Sequence, residues 1–350
     1  MTTKSREQTV RLSSSFIAGL IVSVSGWSAP GMTDDAPPPA QRADAVRRYG
    51  LDPKSPLESR VGATPPWVLK MFREAAGAAP TAHALTGAER RKLSAAFAAL
   101  PPLHRRVLGE RLRSVSFLDG MPKTRAGALD RMSRYWPSAL TTTVNADEPY
   151  LLFDITIRAT VLRQDVSEWL TEKERTCFDA AGSPLRVAVE AGKLDAIVYV
   201  LLHEATHVVD SSLRITPAIQ SGANPAGGAP SSAFTEGVWS GRTTLSPRYS
   251  DPLLERVSFR AGGQTLAIDQ ADSVYAALRR TPFVSLYGSS NWHDDLAEYV
   301  TLYHLTEVLG QPYRIVIRKE GKESFAYEPM KSDLVRARVG QMKRFYEDGR

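Results

Sequence analysis

The sequence predicts an α+β fold, and three observations carry that expectation. Apolar residues recur at helical spacing from Pro66 to Leu100 and again from Lys193 to Asp210. Phe153, Ile155 and Ile157 alternate with Asp154, Thr156 and Arg158, the pattern of a strand, and apolar runs on either side of Glu320-Gly321-Lys322 read as a hairpin. Helices mixed with a few antiparallel strands, without regular alternation of the two, are the mark of the α+β class.

Composition narrows the field. With 350 residues and 43% hydrophobic content, the chain can bury a sizeable core, which excludes wholesale disorder. The formal charge is +6. The basic residues are scattered among acids and do not cluster with aromatics, so no nucleic acid partner is expected. Cys177 is the only cysteine, which leaves no intramolecular disulfide and no thiolate cage for a metal. It stands in Thr176-Cys177-Phe178 with no nearby histidine, as a packed thiol would. A metal site in this chain must therefore use histidines and carboxylates.

The N-terminus reads as an address. Lys4, Arg6 and Arg11 precede the apolar run Phe16 to Val24, and Gly26-Trp27-Ser28 offers small residues for cleavage, so residues 1–28 are expected to be a signal peptide. The apolar stretch, about fourteen residues, falls short of the roughly twenty needed to span a bilayer. The expectation is an exported protein, periplasmic or secreted, with no stable membrane insertion after cleavage. Residues 29–60, including Ala36-Pro37-Pro38-Pro39-Ala40, read as a flexible Pro/Ala-rich linker.

The remaining residues, 61–350, are expected to form one domain whose N-terminal part, 61–135, is helical. Two helices precede Pro101, the second opened by a capping box from Thr86 to Glu89, and a third runs from His104 into an apolar patch ending at Leu118. A strand is expected over Leu151–Leu162, and a hairpin over Val257–Ile268 turning at Gly262-Gly263. The second hairpin pairs Tyr313–Ile317 with Ser324–Tyr327. No internal repeat is present.

The chemistry lies in the stretch from Lys193 to Asp210. It is apolar on nearly every side, so as a helix it must be buried. Into it are set His203, Glu204, His207 and Asp210, an HExxH pattern. Helical residues turn by about 100° each, so the two histidines project from one face and can grip one ion, while Glu204 flanks the open coordination position. Zinc held by three protein ligands keeps a fourth position for water, and Glu204 is placed to take that water's proton. Asp210, three residues beyond His207, is an expected outer acceptor fixing the tautomer of a ligating imidazole.

The third ligand must come from elsewhere, because position 213 is Leu where a third histidine six residues on would stand. Glu298 is the leading candidate, with His293, Asp294, Glu236 and His304 behind it. Its helix is capped by Ser290 or Asn291 and ends at Gly310. Glu298 heads a core-facing stripe continued by Leu302, Leu305 and Leu309, where a buried acid wants a cation. Asp294 and Asp295 sit in the first turn, where the helix dipole favours acids. Asp294 is one turn before Glu298 and is assigned to orienting a ligand.

His203-Glu204-Ala205-Thr206-His207-Val208-Val209-Asp210 followed by Leu296-Ala297-Glu298 resembles the gluzincins, and more narrowly the catalytic domains of anthrax lethal factor and its bacterial relatives. The resemblance covers about a third of the chain. It implies a zincin-like metallopeptidase domain with a buried HExxH helix, a second ligand-bearing helix and a small antiparallel sheet. It further implies a zinc ion on His203, His207 and Glu298, Glu204 as the base, a peptide or protein substrate, and a tyrosine that stabilises the oxyanion. Tyr287 is the candidate for that role, with an ordinary core tyrosine as the alternative; it departs from the family pattern by standing eleven residues before Glu298, further than the resemblance implies, and Thr206 replaces the family's small glycine. The alternative is a non-catalytic zinc-binding protein of the cell envelope with a structural or partner-binding role. The Gly/Ala/Pro/Ser-rich connection Ile215–Arg242 is either a surface insertion or a lid, with Trp239 expected to re-anchor the chain by packing.

Overall fold

A computed structural model describes residues 39–123, 137–144, 150–218 and 232–347. The expected signal peptide, and the linker as far as residue 38, lie outside the described residues. The folded region begins earlier than residue 61, within the stretch expected to be a flexible linker. Helix α1 spans Pro39–Arg48, with Pro at its first turn, where a missing N–H costs nothing. Ala45 is buried, and Arg60 donates to the carbonyls of Asp52, Gly109 and Leu112, tying this segment to the core. A Pro/Ala-rich composition concealed a helix because alanine and arginine are strong helix formers.

Helices α2 (Pro66–Ala76) and α3 (Gly87–Ala99) are the two expected before Pro101. The capping box forms as expected, with Glu89 N–H donating to Thr86 Oγ1 and Thr86 N–H donating to Glu89 Oε2. Between them lies the short strand β1 (Thr81–Ala82). Helix α4 covers Pro102–Arg111 only. The apolar patch that follows is a strand, β2 (Leu112–Asp119), so the 61–135 part is not wholly helical.

Strands β3 (Ala139–Thr143) and β4 (Phe153–Arg158) complete a four-stranded sheet in the order β1-β2-β4-β3. This sheet is mixed, because β2 and β4 run parallel while the other pairs are antiparallel. All six residues of β4 are buried. Its alternation marks an apolar face and a polar but covered one. Asp154 accepts from Arg113 Nε (2.8 Å) and Ser114 Oγ (2.6 Å), and Arg158 donates to Ser138 Oγ (3.0 Å).

Helix α5 (Val166–Arg175) leads through β5 (Phe178–Asp179) and β6 (Leu185–Glu190) into α6 (Ala196–Leu213). Sixteen of the eighteen residues of α6 are buried. It packs among α3, α4, α5 and β3. After it come β7 (Trp239–Gly241) and β8 (Thr244–Leu245), which pair, and then β9 (Leu266–Ala267). The hairpin expected over Val257–Ile268 does not form. Gly262 turns the chain with φ +70°, but β9 then pairs in parallel with β5.

Helices α7 (Ala271–Arg279) and α8 (Trp292–Tyr303) follow, with α8 lying against α6. The final hairpin is β10 (Arg314–Lys319) with β11 (Lys322–Tyr327). Both Glu320 and Gly321 adopt positive φ, as the tight turn requires. β6 pairs with the other edge of β10 to make a three-stranded antiparallel sheet. Among the described residues no helix is long and apolar enough to cross a membrane.

Helix α8 is held from its far side by a buried ion pair. Arg338 donates to both oxygens of Asp295 (3.0 and 2.7 Å), and Trp239 Nε1 donates to Asp295 Oδ2 (2.9 Å). Trp239 thus anchors the chain after the long connection, its ring tilted 60° against that of Phe283 with centroids 5.2 Å apart. Removing one partner of such a pair strands a buried charge, which costs about 3–5 kcal/mol. Arg338→Met is expected to lose that much in denaturant unfolding, and adding Asp295→Asn should restore part of it. If the double variant is as unstable as the two single losses summed, the pair is not coupled.

Candidate metal centre

Helix α6 presents His203 and His207 one turn apart, and their Nε2 atoms face each other at 3.2 Å. From α8, Asp294 Oδ1 approaches to 3.4 Å from His207 Nε2 and 3.7 Å from His203 Nε2. All three residues are buried, and together they could hold a metal ion. Asn291 sets up this approach by capping α8 with its own side chain, which accepts from the backbone N–H groups of His293 and Asp294.

The spacing suits a small divalent cation. Ligand bonds of about 2.0–2.1 Å in a tetrahedron place neighbouring donor atoms about 3.3–3.4 Å apart, close to the three separations found. The hydrogen-bond inventory agrees. Asp294 Oδ2 accepts from Asn291 Nδ2 (2.6 Å) and Ser290 Oγ (3.1 Å), whereas Oδ1 is buried with no hydrogen-bond partner among the described residues. An orphaned carboxylate oxygen aimed at two imidazole nitrogens fits a cation.

Glu298 does not join them. The carboxylate lies on the opposite side of the His203 ring, with Oε1 3.0 Å from Nδ1 and off the N–H axis. Oε1 accepts from Lys173 Nζ (2.9 Å) and Tyr199 OH (2.7 Å), and Oε2 accepts from Ser285 Oγ (2.6 Å). The geometry places the two acids the other way round from the expectation. Asp294 meets the Nε2 pair, while Glu298 braces His203 from behind. A helical turn separates them, so they address opposite edges of one imidazole.

The remaining expected residues are placed as follows. Glu204 sits beside the histidines, and Oε2 accepts from Thr141 Oγ1 of β3 at 2.7 Å. Asp210 does not reach a clustered imidazole. It accepts from Thr216 N–H and Oγ1 and pairs with His293 Nδ1 at 2.9 Å, because the chain leaves α6 at Arg214 in a left-handed conformation and brings Thr216 back over it. The Tyr287 ring lies 5.7 Å from that of His203, centroid to centroid, in the wall of a cleft. His304 spends both ring nitrogens, on Tyr346 OH and Ala99 O, and Glu236 is exposed. Thr206 is accommodated because its hydroxyl donates to Leu202 O and accepts from His104 Nε2 of α4. Residues 219–231 of the long connection, on which the choice between a surface insertion and a lid turns, lie outside the described residues.

Charge follows this geometry. Burial works against the His203 imidazolium, yet Asp294 and Glu298 outweigh it and raise the group to about 9. Burial likewise opposes ionisation of Glu298, but the Lys173 ammonium and His203 hold it down at about 2. Lys173, Tyr199, Ser285 and Thr141 were not anticipated. Lys173 alone had a signal, since Val166, Trp169, Leu170 and Lys173 fall on one core-facing stripe of α5.

The chain matches no protein-family model, no curated protein and no solved structure.

Asp294→Ala is expected to abolish stoichiometric metal binding. Glu298→Gln should retain the ion with an affinity lowered about 10–100-fold, as loss of an outer partner does. Elemental analysis and competition with a chromophoric chelator measure both, and the opposite pattern would restore Glu298 as the ligand. Because the ion displaces a proton from His203, apparent affinity should fall about tenfold for each pH unit below 9.

Proposed function

We propose that the chain is a zinc-dependent peptidase of zincin-like architecture, exported from the cytoplasm. The observation that carries this reading is the convergence of two imidazole Nε2 atoms and an Asp294 oxygen, unpartnered among the described residues, beside Glu204 at the edge of a narrow cleft. Three protein donors are the set of a catalytic zinc site, whereas structural sites use four. Glu204 adds a carboxylate that a structural site does not need. The basic and apolar N-terminal segments support export.

Zinc bound to this set supplies Lewis acidity to a peptide carbonyl and makes water nucleophilic at neutral pH. The chain's own groups do the rest. Thr141 occupies Glu204 Oε2, so Oε1, with no partner among the described residues, is the oxygen that receives the proton from attacking water. The same oxygen delivers it to the departing amine. Glu298, itself held by three donors, keeps His203 oriented with Nε2 toward Asp294. Tyr287, in the cleft wall, is assigned to the developing oxyanion.

Glu204→Gln should keep its zinc and lose about 10²–10⁴-fold in hydrolysis of a general peptide library. Thr141→Val, which frees the carboxylate without removing it, should lose about tenfold. Equal turnover by wild type and Glu204→Gln would reject the hydrolase reading and favour a non-catalytic zinc protein.

A further inference from the structure

The cleft beside His203 and Glu204 is walled largely by apolar groups, among them Trp169 and Val200, yet two hydrogen donors line it as well. One is Lys173. Its side chain is 3% exposed, and a buried ammonium is costly unless its charge is used. Nζ sits 4.0 Å from the centroid of the Tyr287 ring and 5.2 Å from that of Trp169. Of its three N–H groups, one goes to Glu298 Oε1, the only hydrogen-bond acceptor found for it among the described residues. Glu298 balances the lysine's charge but takes only one of its N–H groups, and the other two have no hydrogen-bond acceptor among the described residues.

The second donor is Ser138. Its Oγ accepts from Arg158 Nη1 (3.0 Å) and from Trp169 Nε1 (3.2 Å) and donates to nothing among the described residues. Two donors on one hydroxyl polarise it, and its own hydrogen is left for a ligand. On the side of the cleft away from Glu204, an ammonium and a polarised hydroxyl offer hydrogen donors among Pro137, Ala139, Trp169 and Val200, a combination complementary to a carboxylate. The nearby acids are Glu298, already engaged, and Glu204, which repels a second carboxylate from the position of the attacking water.

Building on the peptidase reading, we propose that Lys173 and Ser138 select peptides carrying a carboxylate next to the scissile bond, either an acidic side chain or a free C-terminus. The apolar walls take the aliphatic part of that residue, and the two donors take the oxygens. Binding in this pocket is set by charge as well as shape, so the neutral amide of the same size is discriminated against.

The test is titration calorimetry of zinc-loaded Glu204→Gln protein, in which turnover does not intervene, with two pairs of short peptides. One pair has blocked ends and differs as internal Asp against Asn; the other has neutral side chains and a free or amidated C-terminus. A preference of about tenfold or more for the acid in the first pair assigns the pocket to a side chain, and in the second pair to a terminus. Equal binding within both pairs, or no binding of any peptide, overturns the proposal. Lys173→Met in the same background should abolish the preference. Because this change also removes a counter-ion of Glu298, Ser138→Ala is read beside it, and a preference unchanged there overturns the assignment. Acid-selective binding without cleavage by wild type would reject the peptidase and leave the pocket. Cleavage without selectivity would do the reverse.

Discussion

Three acids on α8, Asp294, Asp295 and Glu298, are completely buried, and the architecture around them follows from the need to compensate each. An isolated buried carboxylate is untenable, so every one must meet donors or cations that some other element delivers. Asp295 draws in Arg338 from the C-terminal region and Trp239 from β7. Glu298 draws in Lys173 from α5, Tyr199 from α6 and Ser285 from the segment before α8. Asp294 faces the two imidazoles of α6. One helix thereby fixes the placement of most of the elements packed around it.

The three compensations are not equal, and the inequality singles out the group that could hold a metal ion. Asp295 has a bidentate guanidinium and an indole N–H, a closed arrangement that contributes only to stability. Glu298 is satisfied on both oxygens. Among the described residues, Asp294 is the one of the three that keeps a buried oxygen with no hydrogen-bond partner, and that oxygen faces the two imidazole Nε2 atoms. Of the three buried acids, this is the one where a divalent charge lowers the energy of the fold, which couples ion binding to stability.

The sequence showed the HExxH helix almost to its boundaries, because a run that is apolar on every side except at four polar residues admits few other readings. It also showed that a carboxylate on α8 must meet a cation. It could not show which carboxylate meets which cation. Glu298 was favoured because it continues an apolar stripe, and that stripe is real, with Leu302 and Leu305 buried. Its positive partner, however, is Lys173, 125 residues away in the chain. At Asp294 the first turn of a helix already explains an acid without tertiary contacts. Local propensity and tertiary role coincided at that residue, and sequence pattern cannot separate them. The hairpin expected at Gly262-Gly263 failed for a related reason. The turn was legible, but the partner strand, Phe178–Asp179, was not.

Glu204 is the residue on which the proposed catalytic reading and a purely structural one differ. The residue is 6% exposed, and its carboxylate holds one hydrogen bond among the described residues, from Thr141, so the fold tolerates a nearly buried acid with an oxygen left unspent. A closed structural site would gain stability by replacing it with an apolar residue of similar size. The sequence instead places it between the histidines, on the face that lines the cleft, and β3 contributes a hydroxyl that orients it without neutralising it. Natural folds give up stability in this way where a group must remain free to exchange a proton. Lys173 and Ser138 carry the same signature in the same cleft, since each keeps donor capacity that packing alone does not require.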